Sequence, residues 1–529
     1  MSTVNNQLKI QRKRELLFNI LERQGLLEAS EADFDRRRAA AFGRVDLGEG
    51  AFYYPRSFFR AVDTVCFLGG VEGLAAKKLY LASRSKLPGG FTGSSHSLGG
   101  WQLMETGLSY ENYLAAKDLL PFLAPVSLRG QRTTIGCGDR LGLAGPGHIR
   151  AADGYAISPV LAQQSIRELT LTGRIYPEVV KDAAFAVLQE GYASGYGADG
   201  DHLKTLADID IAVDAGMPMI TLDLTEVMNP APADWSDEAV ASAFDALSDT
   251  VKTRVLSDYS GKTFSLGDES ITLSEIEAKR CALMYWKALD FSVEVDARLR
   301  SRRGDHYDLE ISIDETTAPT IPSHHLFIAA ELKRRGVTVN SLAPRFIGEF
   351  QKGIDYIGDL AEFERQFVVH CRIAKAYGDY KVSIHSGSDK FSAYPIIGRL
   401  TGLRVHVKTA GTSWLESLRA VSLHAPQLFR HVLDKAYRYY PDALKLYHIT
   451  PDLARIPKAA DLSDAELASY LALPESRQLL HVTYGGLLND PELRPQFFSF
   501  LQAGEEAHYA CVRDHLRKHI ELLGVPRRD

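Results

Sequence analysis

Cysteine is scarce: the 529 residues hold five, Cys66, Cys137, Cys281, Cys371 and Cys511, an odd number set far apart with no CxxC pair. That excludes a zinc ribbon, a redox dithiol and a disulfide framework, and it fits a reducing, cytoplasmic setting. Positive charge is not in excess. With 61 Lys and Arg against 67 Asp and Glu, the net charge of -6 provides no field to attract nucleic acid or anionic lipid, so neither is expected as a partner. No stretch approaches the ~18 apolar residues of a membrane span. The first 30 residues interleave basic and apolar positions without an uninterrupted apolar core, which predicts a helix and not a signal peptide. Repeats of about 20 to 50 residues and low-complexity tracts are also absent.

What is present is ample apolar material. Hydrophobic residues make up 45% of the chain, with 23 Tyr and 23 Phe, so global disorder is excluded. The length exceeds one ordinary domain of ~100–200 residues but suits an α/β barrel with additions. Residues 1–125 read as an N-terminal α+β domain. In it, apolar spacing predicts helices over Leu8 to Leu27 and Glu31 to Phe42, VDTVCFLGG (62–70) and KKLYLAS (77–83) predict strands, and PGGFTGSSHSLGG (88–100) predicts an exposed loop.

Beyond about residue 130, short β-like runs alternate with helical segments, the pattern of a parallel sheet. The runs are 133–138, 192–201, 217–224, 307–315, 337–344, 380–387, 403–411 and 445–450. Eight such runs predict a (β/α)8 TIM-type barrel over residues 126–450, with a helical insertion at about 230–300 and a helix-rich extension over 451–529.

Polar groups gather at the C-terminal ends of these runs, where a barrel builds its active site. They are Asp139 and Arg140; Asp201, His202 and Lys204; Asp314 and Glu315; Arg345 and Glu349; His385, Asp389 and Lys390; and His406 and Lys408. Strand parity sets Val382 and Ile384 against Ser383 and His385, and Val405 and Val407 against His406 and Lys408, so the polar faces turn inward. His202, His385 and His406 supply three imidazoles for a metal with one open position, with zinc, nickel, cobalt and manganese all suited.

Other motifs read differently. GCGDRLG (136–142) has the wrong spacing for a dinucleotide loop. His515 and His519, four apart beside Arg517 and Lys518, predict a solvated helix face. His324 and His325 predict capping or packing, and Cys137 predicts structural burial.

IDETTAPTIPSHHLFIAAELKRRGV, SLAPRFIGEFQKGIDYIGDL, YKVSIHSGSDKFSAYPIIGRLTG and VHVKTAGTSWLESLRAV resemble the tagaturonate epimerase family, as do GDRLGLAGPGHI, GADGDHLKTLADI and LLHVTYGGLL. The resemblance spans roughly Gly136 to Leu488. It implies an isomerase of hexuronate catabolism that interconverts tagaturonate and fructuronate, and it extends to ketohexose 4-epimerases acting on tagatose and fructose. The Asp201-His202 pair and the His385-Ser386-Gly387-Ser388 turn also resemble metal-dependent class II aldolases, which implies Asp201 as proton shuttle and His202, His385 and His406 as metal ligands.

The implied substrates differ at a carbinol carbon whose hydrogen the ketone does not acidify, so metal-assisted retro-aldol cleavage and re-addition is the expected route. A carboxylate with raised pKa, Asp201 or Glu315, would move the hydroxyl proton. The remaining substrate contacts expected are Arg140, Lys204, Arg345, Ser386, Asp389, Lys390 and Lys408, the cations to hold the carboxylate. An aldolase that releases its fragments, an NAD-assisted epimerase and a noncatalytic sugar-acid binder are the alternatives; the metal and the oligomeric state stay open.

Overall fold

The computed structural model describes residues 15–39, 42–48, 50–71, 77–314, 318–447 and 449–528. The chain forms two compact units: Met1–Pro125, Gly142–Asp153 and Pro177–Gly195 in one, and Val126–Leu141, Gly154–Tyr176 and Tyr196–Asp529 in the other.

The first unit carries an antiparallel sheet centred on the paired strands Thr64–Val71 and Lys78–Ser83. Phe58 stacks on Phe67 at 4.7 Å, Phe67 on Tyr80 at 5.1 Å, and Phe18 meets Tyr80 edge-on at 5.7 Å. Phe18 belongs to a helix at 15–23 whose Leu17 and Leu21 are also buried; residues 8–14 of the expected helix lie outside the described residues. The second helix is shorter than expected, Glu31–Arg38, capped by Ser30 with Asp33. The expected loop at 88–100 contains an edge strand, Gly93–Leu98, paired with Trp101–Thr106. Its Gly and Ser residues show no apolar alternation, so pairing with its neighbour, not burial, makes it a strand.

The second unit is built on a closed barrel of eight parallel strands: β1 (Thr133–Gly136), β2 (Ser158–Ser165), β3 (Gly197–Leu203), β4 (Met219–Asp223), β5 (Asp308–Ile313), β6 (Val339–Pro344), β7 (Lys381–Ile384) and β8 (Val405–Lys408). Each pairs with the next, and β8 closes on β1 with Val407 opposite Ile135. The expected run 445–450 is not a strand; Lys445 and Leu446 lie in a turn after a helix, and His448 lies outside the described residues. The missed strand is β2. Pro159 near its start and the polar end Gln163-Gln164-Ser165 conceal it from any reading by apolarity.

Between β4 and β5 the insertion holds helices Asp237–Asp245 and Asp249–Asp258, the unexpected hairpin Lys262–Leu266/Glu269–Leu273, and the long helix Glu275–Arg303. After β8 come the helices Thr412–His424, Pro426–Ala443, Pro474–Val482, Tyr484–Asn489, Leu493–Ala503 and Glu505–Leu522, with three 3-10 segments between the second and the third. Among the described residues no helix is long and apolar enough to cross a membrane.

His324 and His325 pack as expected: His324 bonds Tyr285 at 2.9 Å, and His325 lies 2.9 Å from His370 and 2.7 Å from the Tyr380 hydroxyl. Burial holds all three imidazoles neutral, pushing His324 and His370 down to about 4 and His325 well below its usual value. The unfolded chain protonates these groups near 6.5, so their contribution is complete above that pH and is lost as pH falls towards about 4. Each imidazole contributes a slope of up to about 1.4 kcal/mol per pH unit in that window. Urea unfolding across it should show falling stability, and His370→Gln should flatten the fall; an unchanged slope would assign the acid sensitivity elsewhere.

Candidate active site

The alternation GADGDHL along β3 turns Asp199 and Asp201 into the barrel, and DLEISI along β5 turns Glu310 inward opposite them. One ammonium meets all three carboxylates. Lys408, the last residue of β8, lies 3.0 Å from Asp199, 2.6 Å from Asp201 and 2.8 Å from Glu310, and donates to the Thr221 hydroxyl of β4 at 2.5 Å. Burial opposes its charge, but the three carboxylates override burial and hold the Lys408 pKa well above that of an ordinary lysine. Burial likewise opposes ionisation of Asp201 and Glu310, yet Lys408, with His202 beside the first and His385 beside the second, holds both well below the usual carboxylate range. Asp199 is shifted upward by burial, which Lys408 only partly offsets.

Above this layer, His202, Asp314 and His385 leave β3, β5 and β7, and a ligand atom of each lies within 4.8 Å of the others. His202 Nδ1 is 2.9 Å from Asp201 and His385 Nε2 is 2.7 Å from Glu310, so the opposite nitrogens face Asp314, at 3.8 Å from His202 Nε2 and 3.1 Å from His385 Nδ1. The chain bends sharply to achieve this. His202 and Ser386 hold left-handed conformations, φ 55° and 49°, a strain of about 1–3 kcal/mol each that the surrounding bonds must sustain. Gly136 ends β1 because a Cβ there would lie 2.1 Å from the inward Gln163 amide oxygen.

The group opens onto an inner recess of about 90 Å³ and an outer cleft of about 600 Å³, which share Arg167, Asp314, Lys352, His385, Ser386 and Tyr447. Concave, polar and lined by perturbed titratable groups at the C-terminal mouth of a barrel, this is an enzyme site. A profile of the tagaturonate epimerase family matches residues 54–523. The chain belongs to the tagaturonate epimerase family. It is therefore an epimerase, an isomerase-class enzyme. The tagaturonate/fructuronate epimerase of Thermotoga maritima is 40% identical over 415 residues, 78% of this chain and 85% of that one. The native crystal structure of the fructuronate-tagaturonate epimerase of Cohnella laeviribosi superposes with a TM-score of 0.86 at 44% identity, over 94% of this chain and 99% of that one. Its complex with one glycerol gives the same score and identity over 90% and 97%.

In this epimerase the residues nominated from sequence separate into two sets. Asp201, His202, His385, Ser386, Arg140, Arg345 and Lys408 line the recess or the cleft. His406 does not join His202, Asp314 and His385. It precedes Lys408 by two residues on the same inward face, about 6.6 Å deeper at ~3.3 Å per residue, where its Nδ1 meets Thr134 at 2.9 Å and burial lowers its pKa to about 3. Asp314 occupies the place expected of it. Asp201 is ionised more readily than usual, contrary to the raised pKa expected, because Lys408 and His202 face it. Arg140 and Lys408 are engaged within the protein, Arg140 by Glu168 at 2.9 Å and over the Tyr484 ring at 3.7 Å.

The other nominated groups lie elsewhere. Lys204 is near Asp223 and Glu226, at 3.7 and 3.3 Å. Lys390 caps the carbonyls of Gln351, Ile354 and Ser388, and burial pulls its pKa to about 7. Asp389 pairs with Arg477 and with His515, each at 2.7 Å. That pairing corrects the reading of His515 and His519 as solvated: the face they share is turned inward, His519 is buried, and it accepts the Asp389 amide at 2.9 Å. Glu315 lies outside the described residues. Asp199 and Glu310 were overlooked, although acids at every second position of an otherwise apolar strand are a readable sign of an inward polar layer. Arg167 stands in the first turn of the short helix Ile166–Thr172 and Lys352 in a connecting segment, so no strand parity marks either.

Proposed function

We propose that this epimerase interconverts tagaturonate and fructuronate, as a cytoplasmic enzyme of hexuronate catabolism, by breaking and remaking a carbon–carbon bond. The observation that carries the reading is the convergence of His202, Asp314 and His385 above the Lys408–carboxylate layer, in a chain of this family. The donor set fits a divalent metal. Asp199, Asp201 and Glu310 face the Lys408 ammonium and Asp314 faces both imidazoles, so the mouth of the barrel is rich in carboxylate oxygens. Each imidazole also has its second nitrogen on a carboxylate, the support that metal-bound histidines ordinarily receive. Zinc, nickel, cobalt or manganese would suit His202, Asp314 and His385, and when bound would supply Lewis-acid polarisation of the ketone.

The two ketouronates differ at the carbinol carbon two bonds from the ketone, where deprotonation gains nothing from the carbonyl. Breaking the bond between that carbon and its neighbour nearer the ketone leaves an aldehyde and an enediolate; the aldehyde turns and the bond re-forms on its other face. Asp201 lines the recess and is kept ionised beside Lys408, so it can take the carbinol hydroxyl proton as the bond breaks and return it when the bond re-forms. The C–H bond at the inverted carbon survives this cycle. Product formed in D₂O should carry no solvent deuterium there, and substrate deuterated at that carbon should show only a small secondary isotope effect. Solvent deuterium at that carbon would replace this route with deprotonation, and a large primary effect without exchange would replace it with transient oxidation.

A further inference from the structure

Five cations line the recess and the cleft: Arg140, Arg167, Arg345, Lys352 and Lys408. Arg140 pairs with Glu168, and Lys408 with three carboxylates. Arg345 lines the outer cleft alone, whereas Arg167 and Lys352 line both volumes together with Asp314, His385 and Ser386. Lys352 donates to the Ser386 hydroxyl at 2.8 Å, one residue from His385, and the Arg167 guanidinium lies 5.7 Å from the centre of the Tyr447 ring. The barrel strands carry the reacting groups, and these two side chains enter at the mouth, Arg167 from the first turn of the helix Ile166–Thr172 after β2 and Lys352 from the segment between β6 and β7.

From this geometry we infer that Lys352, seconded by Arg167, is the carboxylate seat that selects an acidic sugar over a neutral ketohexose, an assignment that rests on the proposed ketouronate reaction. In that reaction the carboxylate lies on the aldehyde half, the half that must turn. Two cations gripping it allow rotation about the held end and keep the three-carbon aldehyde from escaping before the bond re-forms. An ammonium and a guanidinium give charge-assisted bonds to a carboxylate that the hydroxymethyl end of tagatose or fructose cannot return.

The test compares wild type, Lys352→Met, Lys352→Arg, Arg167→Met and Arg345→Met in kcat/KM for tagaturonate and for tagatose, at low and high salt. Lys352→Met should lower the acid-to-neutral ratio about 10- to 100-fold, the worth of a hydrogen bond to a charged group. Arg167→Met should lower it less, and Lys352→Arg should restore most of it. Released three-carbon aldehyde acid should rise in Lys352→Met. Titration of the same proteins with D-glycerate and with glycerol reads the seat without turnover: wild type should prefer glycerate, and Lys352→Met should lose that preference. An unchanged ratio and an unchanged glycerate preference in Lys352→Met, or the whole effect in Arg345→Met, would overturn the assignment. A wild type that prefers glycerate in this Lys352-dependent way yet leaves tagaturonate unconverted would keep the seat and discard the reaction.

Discussion

His385→Ala is expected to lose both bound divalent metal and nearly all turnover. His385 sits at the junction of the site: Nδ1 faces Asp314 at 3.1 Å, Nε2 is held by Glu310 at 2.7 Å, and its ring centre lies 4.8 Å from that of His202. Removing it takes away one proposed ligand and one of the partners of Glu310, which keeps Lys408 at 2.8 Å. Lewis-acid stabilisation is worth several kcal/mol in such sites, so a fall of about 10³-fold or more is anticipated. Elemental analysis of dialysed protein and circular dichroism should accompany the rates, so that metal loss is separated from unfolding. His406→Ala is the contrast: that imidazole lies a layer deeper against Thr134, and the variant should keep its metal. A folded His385→Ala protein with full metal content and activity would remove the proposed centre, and a His406→Ala protein without metal would return that residue to the ligand set.

Lys408→Met should cost more in stability than any other single change in the barrel interior. The substitution keeps the unbranched apolar stem, one atom shorter, but leaves Asp199, Asp201 and Glu310 facing one another in a space where Lys408 is only 3% exposed. Removing one partner from a buried ion pair typically costs about 3–5 kcal/mol, because the charge left behind has neither water nor counter-ion. Urea unfolding should show a loss of at least that size, together with inactivity, since Asp201 loses the neighbour that keeps it ionised. The double variant Lys408→Met/Asp199→Asn should recover part of the stability by deleting one stranded charge, a coupling that a double-mutant cycle measures directly. Equal stability of wild type and Lys408→Met would mean that the three carboxylates do not depend on the ammonium.

Much of this site could be read along the chain because the relevant order is local. In YKVSIHSG and LRVHVKT a two-residue period separates the valines and isoleucine that face the helices from Ser383, His385, His406 and Lys408, and the geometry of an extended backbone imposes that separation whatever the neighbouring strands do. The exit of each strand is likewise local, which is why Asp201, His202 and His385 could be placed at the mouth of a barrel from their own segments, and why several long motifs pointed to one family. Three matters depended on pairing across the barrel. Strand β2 became visible through its partners β1 and β3, because Pro159 and three consecutive polar residues mask a strand whose identity rests on hydrogen bonds to its neighbours. The depth of each inward residue was set by the stagger between strands, which drops His406 below the level of His202 and His385 and lifts Asp314 to it. The partners of the cations were set by closure: Lys408 on β8 meets Asp199 and Asp201 on β3 and Glu310 on β5, residues 98 to 209 positions away in the chain. A charge is recognisable in sequence, but whether it is offered to a substrate or neutralised by the protein depends on what the fold brings within about 4 Å of it.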